Sequence, residues 1–562
     1  MSIIEIKNLT YFYPNETRTV LENIDLTIEE GEFVLLVGGS GCGKSTLIKA
    51  MAGLVPEFYG GKIKGEIRLA GRSLATLTRK ELVDKVGIVF QDPESQLVMT
   101  NVEQELVFGL ENLGLDNSLM KRRVLEATGA LSLGNYLKKN TPELSGGLKQ
   151  KVALASVLAM QPEIILLDEP TSQLDPVSGE EILTILRRLN EENGITIVLV
   201  EQRLERCFHL ADRILVMDKG KIICNTKNHS FFSRWSLENR SPFIPPLAKL
   251  FAGAGFEKVP LTVKEGRNLL SPFLEKTTNN LQEKKNTEEK VKKYNNTPLI
   301  EIEKLWFVYK NGDEALKNIN LSIYPGDFTV IMGDNAAGKT TLLKVINGLL
   351  KPSQGKVEIA QQNTKKIAVE QLAQKVGYLS QNPNDYLFLN SVKEEVLFTL
   401  KAQGMVEEGK VDILLEKLNL SLYQDKNPRD LSSGERQRVA LAAVLIANPE
   451  IILLDEPTRG LDYKLKKELG EILLALQRTG KTVIVVTHDV EFAAEYAQNI
   501  VLMSQGSIVA EGDKKAMLTK SIFYSPQISK LFYNYNNDIV TIEEGQQFLK
   551  SLDVGRKVGI YA

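Results

Sequence analysis

The chain has 562 residues, with 69 lysines and arginines against 71 aspartates and glutamates, and three cysteines. A single hydrophobic core stops growing near about 250–300 residues, so this length excludes a single compact domain. The balanced charge excludes a broad attraction to DNA, RNA or anionic lipid, and Cys42, Cys207 and Cys224 are too few for a disulfide framework or a four-cysteine metal site.

The first residues, MSIIEIKNLT, carry acidic Glu5 where a secretion signal needs a basic start and an apolar stretch. The longest apolar runs, such as residues 33–37 and 195–200, are much shorter than the ~20 residues that cross a bilayer. We therefore expect a chain of a reducing compartment that reaches a membrane only through a partner.

The predicted elements begin with IIEIKNL, in which apolar and polar residues alternate as in a half-buried antiparallel strand. FVLLVG, KVGIVF, EIILLD and TIVLVE follow as continuous apolar runs, which suit parallel strands buried on both faces. Between KVGIVFQ and LSGG, apolar residues with helical spacing predict a helical subdomain. LIEIEKL at residues 299–305 opens a second series of the same kind, so the predicted fold class is α/β.

The motifs of the first half return in the same order in the second half. GGSGCGKST at residues 38–46 returns as GDNAAGKTT at residues 333–341, LSGG returns as LSSG, and IILLDEPT returns unchanged. This repeat predicts two like domains, residues 1–272 and 298–562, each with a C-terminal appendage. The polar segment 273–297 predicts a flexible linker between them.

Each glycine-rich motif follows a buried strand and opens a helix, which is the context of a phosphate-binding P-loop. Glycines let backbone N–H groups point at phosphate, and the helix N-terminus adds the positive end of its dipole. We expect Lys44 and Lys339 to reach the β- and γ-phosphates, and Ser45 and Thr340 to bind Mg²⁺. The expected phosphate-binding residues are Gly38, Gly39, Ser40, Gly41, Cys42, Gly43, Lys44, Ser45 and Thr46, and Gly333, Asp334, Asn335, Ala336, Ala337, Gly338, Lys339, Thr340 and Thr341.

A pair of acids completes each predicted site. Asp168 and Asp455 each end an apolar strand, where a carboxylate can hold the water shell of Mg²⁺. Glu169 and Glu456 follow directly, and a second carboxylate beside the metal ligand suits a base that polarises the attacking water. The alternative is a solvated acid at a strand end. The residues alone thus predict a nucleoside triphosphatase.

A P-loop, a glutamine after a strand, LSGG and LLDEPT in this order are similar to the ATP-binding-cassette (ABC) ATPase family, over nearly the whole chain and twice. The resemblance implies two P-loop NTPase domains, each with an antiparallel β subdomain and a helical subdomain. It also implies that the domains meet head to tail, with each ATP between one P-loop and the signature loop of the other domain.

The same resemblance assigns the remaining site residues. The family's metal-binding glutamine is expected after a strand in each half. An adenine-stacking aromatic residue is also expected in each half, and plain packing is the alternative role for the tyrosine found at each of these positions. The assignments are Gln91 and Gln381 in the Q-loops, Ser145, Gly146 and Gly147 and Ser432, Ser433 and Gly434 in the signatures, Asp175 and Asp462 in the D-loops, and Tyr13 and Tyr309 as adenine-stacking residues.

The two predicted sites are unequal. VVTHDVE places His488 at the position of the family's γ-phosphate histidine, whereas LVEQRLE has Gln202, which can never become cationic. In the arrangement that the resemblance implies, the signature of the second domain completes the site of the first P-loop, and in this signature Ser433 replaces the usual glycine. We expect the second P-loop site to carry most turnover, and two equally active sites are the alternative.

The segments after the Q-loop glutamines indicate the partner. Residues 90–112 and 380–400 resemble the corresponding segments of energy-coupling-factor (ECF) importers of vitamins and metal ions, and VEQRL resembles their EHRL. The resemblance implies ECF-type coupling and substrate-binding membrane proteins as partners, and a peripheral place at the cytoplasmic face of the membrane. Leu97, Val98, Met99 and Val102 would line the docking groove, with packing inside the helical subdomain as the alternative.

Two other functions remain open. A ribosome-associated tandem ABC protein is disfavoured by the short linker and the near-zero net charge. A drug-export ATPase is harder to exclude, because the sequences of the ATPase domains do not indicate the direction of transport. Cys42 is expected to be a small loop residue, and His209 and His229 lack partners at metal-ligand spacing.

Overall fold

The computed structural model describes residues 1–14, 18–172, 174–281, 297–407, 409–519, 521–533 and 535–551, without the side chains of residues 274–281 and 433. The chain divides into two compact units between Gly266 and Arg267. Within the described ranges, every helix is too short or too polar to span a bilayer.

The first unit opens with an antiparallel sheet in the order β2-β1-β4-β5. Apolar and polar residues alternate along its first two strands, and the buried ones face the core, as the sequence predicts. The strands are β1 Ser2–Phe12, β2 Leu21–Glu29, β4 Lys62–Leu69 and β5 Arg72–Ser73.

A six-stranded sheet in the order β10-β9-β3-β8-β7-β6 forms the centre of the first unit. Strands β3, β7 and β8 are parallel and buried along their whole length, which confirms the prediction from their apolar runs. Strand β6 is also parallel, and only Ile88 in it is half-buried. The strands are β3 Phe33–Gly38, β6 Val86–Val89, β7 Ile164–Asp168, β8 Thr196–Val200, β9 Arg213–Asp218 and β10 Lys221–Thr226.

Helices cover this sheet, and the predicted helical subdomain is present as α3 and α4 packed on α5. The helices are α1 Lys44–Met51, α2 Arg79–Lys85, α3 Val102–Leu113, α4 Asn117–Ala130, α5 Gly146–Met160, α6 Pro176–Asn193, α7 Leu204–Cys207, α8 His229–Glu238, α9 Pro246–Gly253 and α10 Val263–Leu281. Helix α10 includes residues 273–281 of the predicted linker and crosses the division between the units, whereas residues 282–296 lie outside the described ranges.

The second unit repeats this architecture, with sheets in the orders β12-β11-β14-β15 and β16-β17-β18-β13-β19-β20. Its first sheet contains β11 Ile300–Val308, β12 Glu314–Ile323, β14 Gln354–Ile359 and β15 Gln362–Asn363. Its second contains β13 Phe328–Gly333, β16 Val376–Leu379, β17 Ile451–Asp455, β18 Thr482–Val486, β19 Asn499–Ser504 and β20 Ser507–Asp513.

The helices of the second unit follow the same order, and three of them form its C-terminal appendage (α18 to α20). They are α11 Lys339–Ile346, α12 Val369–Leu372, α13 Val392–Ala402, α14 Lys410–Lys417, α15 Ser433–Leu445, α16 Tyr463–Arg478, α17 Val490–Tyr496, α18 Lys514–Thr519, α19 Gln527–Phe532 and α20 Ile542–Ser551.

The central strand β13 shows why its run is apolar throughout. Ile331 belongs to the cluster under the antiparallel sheet and α11. Val330 and Met332 belong to the cluster under the helical subdomain on the opposite face. Because both faces are covered, every residue of the strand is buried, and the strand end is fixed where the P-loop begins.

Candidate nucleotide-binding sites

Each glycine-rich loop connects a central strand to a helix, β3 to α1 and β13 to α11. Gly43 and Gly338 precede the helices with φ of 108° and 93°. A Cβ at these positions would lie 2.8 Å from the carbonyl oxygen of Val20 and 2.4 Å from that of Ala315, so only glycine fits. No side chain in the described ranges caps α1 or α11, which leaves their first N–H groups directed at the loop.

The P-loop lysines lie inside these loops. Lys44 Nζ donates hydrogen bonds to the carbonyl oxygens of Gly38 (2.8 Å) and Gly39 (2.9 Å). Lys339 Nζ donates to those of Gly333 (2.8 Å) and Asp334 (2.7 Å). Both lysines are buried, so an ammonium group and a helix N-terminus converge in each loop. This donor set fits a phosphate group in both units.

The predicted metal ligands are neighbours in each unit. Burial raises the pKa of Asp168 above its usual value, although a hydrogen bond from Ser45 and the charge of Lys44 oppose this shift. Burial likewise raises the pKa of Asp455, although a hydrogen bond from Thr340 and the charge of Lys339 oppose this shift. A buried carboxylate beside a hydroxyl and next to a phosphate cradle is a donor set that fits Mg²⁺.

The next residue in both units has a strained backbone. Glu169 and Glu456 have φ of 49° and 53°, a left-handed conformation that non-glycine residues rarely adopt. Their N–H groups donate to the carbonyl oxygens of Val200 and Val486 at 2.9 Å, which holds the turn at the end of the sheet. The two side chains are buried beside the P-loops. Sequence reasoning predicted these acids but not their strained backbone.

In the first unit, two amides hold the Glu169 carboxylate. Gln91 Nε2 donates to Oε2 at 2.8 Å, and Gln202 Nε2 donates to Oε1 at 2.5 Å. Burial and the nearby carboxylates of Asp168 and Glu201 raise the pKa of Glu169 to about 8, against the lowering effects of Lys44 and Gln202. At neutral pH this carboxyl group is therefore mostly protonated, which weakens it as a base.

In the second unit, the equivalent carboxylate faces an imidazole. His488 Nε2 lies 3.3 Å from Glu456 Oε1, and the main-chain N–H of His488 donates to Oε2 at 3.4 Å. Thr487 occupies the position of the buried Glu201, so one acid fewer surrounds this site. Gln381 is exposed, unlike the half-buried Gln91. The two sites thus differ in more positions than the histidine and glutamine.

The signature serines cap helices in both units. Ser145 Oγ accepts the N–H of Leu148 at the start of α5. Ser432 instead forms a capping box at α15: its hydroxyl donates to Glu435 Oε2 at 2.8 Å and accepts the N–H of Glu435 at 3.4 Å. Burial raises the pKa of Glu435, but the hydrogen bonds from Ser432 and Tyr423 and the charge of Arg438 together outweigh it, so the net pKa is lowered. Ser433 and Gly434 follow in α15, as Gly146 and Gly147 do in α5.

The tyrosines follow the first strand of each unit, and the D-loop acids lie at helix starts. The hydroxyl groups of Tyr13 and Tyr309 lie 3.2 Å and 3.0 Å from the hydroxyls of Thr46 and Thr341, next to the P-loops. Each ring also packs edge-on against the aromatic residue two positions earlier, so packing and a place beside the nucleotide are compatible. The D-loop acids cap helices: Asp175 accepts the N–H of Ser178 and Asp462 that of Leu465, both at 2.9 Å.

Each unit therefore brings together its P-loop, its strand-end acids and the residue at the γ-phosphate histidine position, Gln202 or the switch histidine His488. The cysteine in the first loop is buried, and burial raises the pKa of the Cys42 thiol, which makes it a poor nucleophile. His229 bonds the Phe208 carbonyl, His209 is exposed, and no group of potential metal ligands forms within the described ranges. Sequence reasoning missed Glu201, because its role depends on Glu169, which is distant in the chain. It also missed Glu435, although Ser432 and Glu435 have the spacing of a capping box, which is a local sequence signal.

The fold and the two phosphate cradles define a doubled P-loop protein that binds nucleoside triphosphates. The family described as ABC transporter matches residues 21–172 and 316–459. An ABC transporter ATP-binding protein of Clostridium tetani is 45% identical over 453 residues, 80% of this chain and 100% of that protein. One of Methanosarcina mazei is 40% identical over 539 residues, 94% of this chain and 90% of that protein.

A solved structure of cbiO1 from Clostridium perfringens, part of the ABC transporter complex cbiONQ, is 32% identical and covers 40% of this chain and 92% of its own, with a TM-score of 0.38. The family match and the long sequence relatives decide the assignment. The chain belongs to the ABC transporter family, as an ATP-binding protein with two ABC domains that hydrolyses ATP.

Proposed function

We propose that this chain is the ATP-hydrolysing subunit of an ECF-type importer of a vitamin or metal ion, bound by membrane subunits at the cytoplasmic face of the membrane. The observation that carries the proposal is the presence of two nucleotide sites in one chain, each followed by a Q-loop segment, residues 90–112 and 380–400, that resembles those of ECF importers. The family membership supports the transport role.

The same segments supply a matching exposed surface in each unit. Val98 is 69% exposed and Phe388 is 64% exposed, at equivalent positions after the Q-loop glutamines. In each unit, a buried glutamate from the following helix, Glu105 or Glu395, accepts two consecutive N–H groups of this loop. The loop is therefore held rigidly with an apolar side chain in solvent, as a docking site for a membrane partner requires.

One helix turn further, Phe108 and Phe398 add exposed aromatic surface on α3 and α13. Val102, which the sequence placed in the docking stripe, is fully buried and belongs to the packing of the helical subdomain. The proposed docking surface therefore consists of Val98 and Phe108 in the first unit and Phe388 and Phe398 in the second.

We assign the reaction to the residues as follows. Lys44 and Lys339, with the N–H groups of the P-loops, bind and orient the β- and γ-phosphates. Mg²⁺, held by the Ser45 and Asp168 pair or the Thr340 and Asp455 pair, neutralises phosphate charge when bound. In the family's arrangement, the signature serine of the other unit completes each site, so that ATP holds the two halves together.

The two sites are proposed to divide the work. Glu456 beside His488 serves as the base that orients the attacking water, and His488 stabilises the transferring phosphoryl group. Glu169, with a pKa raised to about 8 and both oxygens held by amides, is a poor base. The first site would then mainly hold nucleotide.

Co-purification from detergent extracts tests the transport role. The tagged full chain is expected to retain membrane proteins, among them a substrate-binding subunit. Val98→Asp combined with Phe388→Asp is expected to abolish this retention, because a carboxylate cannot be buried in an apolar contact without a partner. Ile223→Asp is the matched control, since Ile223 is a half-exposed apolar residue on β10, outside the proposed surface.

Both variants should still bind ATP, because neither position lies in a phosphate cradle. Retention of membrane proteins by the docking variant would contradict the proposed surface. Ribosomal RNA in place of membrane proteins would overturn the transport role, and a single large permease without a substrate-binding subunit would favour an exporter.

A further inference from the structure

The second P-loop has a contact that the first cannot make. Its second residue is Asp334, where the first loop has Gly39. The hydroxyl of Tyr524, in the segment between α18 and α19 of the appendage, donates to Asp334 Oδ1 at 2.8 Å. Ser504, the last residue of β19, donates to Oδ2 at 3.4 Å. Both oxygens of this loop carboxylate are thus held by hydroxyl groups.

The first unit has no equivalent of this contact. Helices α9 and α19 begin after Pro245 and Pro526 and both contain the residues KLF, which places Phe243, a ring without a hydroxyl group, at the position of Tyr524. The acid of the first unit is instead Asp218, at the end of β9, where the second unit has Ser504. The second unit therefore has a carboxylate on the P-loop itself that is bonded to the appendage, whereas the first loop has Gly39 at this position.

The segment that carries Tyr524 is itself fixed. The N–H of Tyr524 donates to Ser521 Oγ at 2.9 Å, and its ring packs against the core of the second unit. The buried Ser525 hydroxyl contacts the carbonyl oxygens of Leu518 and Ser521. Three residues after Tyr524, the N–H of Gln527 donates to Glu491 in α17, at 2.9 Å. The tyrosine hydroxyl is therefore a preplaced donor and not a surface group that meets Asp334 by chance.

The bonded carboxylate belongs to the phosphate cradle. The carbonyl oxygen of Asp334 accepts a hydrogen bond from the Lys339 ammonium group at 2.7 Å, so the residue directly contacts the P-loop lysine. A free carboxylate there repels a polyphosphate, and a hydrogen bond from a neutral donor disperses its charge and restricts its position. We propose that Tyr524 is a positioning residue for nucleotide binding, through which the C-terminal appendage sets the ATP affinity of the second P-loop alone.

The test rests on the proposed P-loop roles and uses the full chain with Mg²⁺ and the fluorescent probe N-methylanthraniloyl-ATP. Lys44→Ala leaves the second P-loop as the binding site, and Lys339→Ala leaves the first. In the Lys44→Ala chain, Tyr524→Phe is expected to raise the Kd about two- to tenfold, the effect of one hydrogen bond. In the Lys339→Ala chain, the same change should leave the Kd unaltered.

Asp334→Asn separates positioning from packing, because it removes the charge that Tyr524 restrains. In a Lys44→Ala chain with Asp334→Asn, adding Tyr524→Phe should change the Kd by less than about twofold. Tyr533→Phe, at an exposed tyrosine of the same appendage, is the matched control and should have no effect.

An unchanged Kd in Tyr524→Phe, or an equal loss with and without the Asp334 charge, would overturn the inference while leaving the P-loop roles intact. A chain in which neither lysine variant removes a probe-binding site would overturn the proposed P-loop roles and this inference with them.

Discussion

Glu169 and Glu456 follow identical strands, yet their carboxylates meet different neighbours. Two amide donors and a third buried acid surround Glu169, whereas an imidazole faces Glu456. An amide cannot take a proton from the carboxyl group or share charge with phosphate, but an imidazole can do both. A single residue exchange, Gln202 for His488, therefore changes the chemistry available to the neighbouring acid.

The raised pKa of Glu169 predicts a pH-dependent stability of the first unit. The unfolded carboxyl group ionises near pH 4.5, but in the folded unit it keeps its proton up to about pH 8. The folded state thus binds more protons between these values, so stability falls as the pH rises, by up to about 1.4 kcal/mol per pH unit for one proton. Glu169→Gln should remove this part of the pH dependence.

The measurement is urea unfolding between pH 5 and pH 8. The chain has two tryptophans, Trp235 and Trp306, so Trp306→Phe leaves Trp235 as a reporter of the first unit. Glu111→Gln, at an exposed glutamate of α3, is the control and should keep the pH dependence of the parent chain. Parallel stability curves for the Glu169→Gln and parent chains would contradict the prediction.

At the scale of elements, a buried ion pair joins the helix after the D-loop to the helix after the switch histidine. Lys466 Nζ in α16 lies 2.6 Å from Asp489 Oδ2, and the two side chains are 11% and 4% exposed. Asp489 directly follows His488 and caps α17 by accepting the N–H of Phe492 at 3.0 Å. The pair therefore fixes the backbone that carries the switch histidine.

Lys466→Met is expected to destabilise the second unit by about 3–5 kcal/mol, because it leaves the buried Asp489 charge without its partner. The control is Lys467→Met, since Lys467 pairs with Glu471 on the exposed face of the same helix, and it should cost about 0.5 kcal/mol or less. Urea unfolding followed by Trp306 in a Trp235→Phe chain measures both. Equal losses for the two variants would show that the buried pair does not anchor α17.

The elements of this chain follow from local patterns, but several of its site contacts do not. The apolar run FVLLVG and the glycines after it predicted β3, its burial and the phosphate cradle, because each depends on adjacent residues. The hydrogen bond from Tyr524 to Asp334 joins residues far apart in the sequence, and no local sequence motif predicts it. The sequence predicted that Leu97, Val98, Met99 and Val102 line one groove, with packing inside the helical subdomain as the alternative. Val98 is exposed in the loop, whereas Val102 is buried at the start of α3.

At the scale of the whole molecule, duplication lets one site change while the other keeps its chemistry. Three features distinguish the first site: Gln202 replaces the histidine, Glu201 adds a buried acid, and the amide pair holds Glu169. The second site keeps His488 beside Glu456. The covalent connection also keeps the two halves at a high effective concentration near each other.

Equivalent substitutions in the two units test this division of labour. Glu456→Gln should lower the steady-state ATPase rate of the assembled complex about 100-fold or more, because it removes the base of the site that performs turnover. Glu169→Gln should lower the rate less than about twofold, since a carboxyl group that is already protonated near neutral pH contributes little as a base. Both variants replace a carboxyl group by an amide of nearly the same shape at equivalent positions, so each serves as the control for the other. Equal residual rates would contradict unequal sites, because two equally active sites must respond alike to the loss of either base.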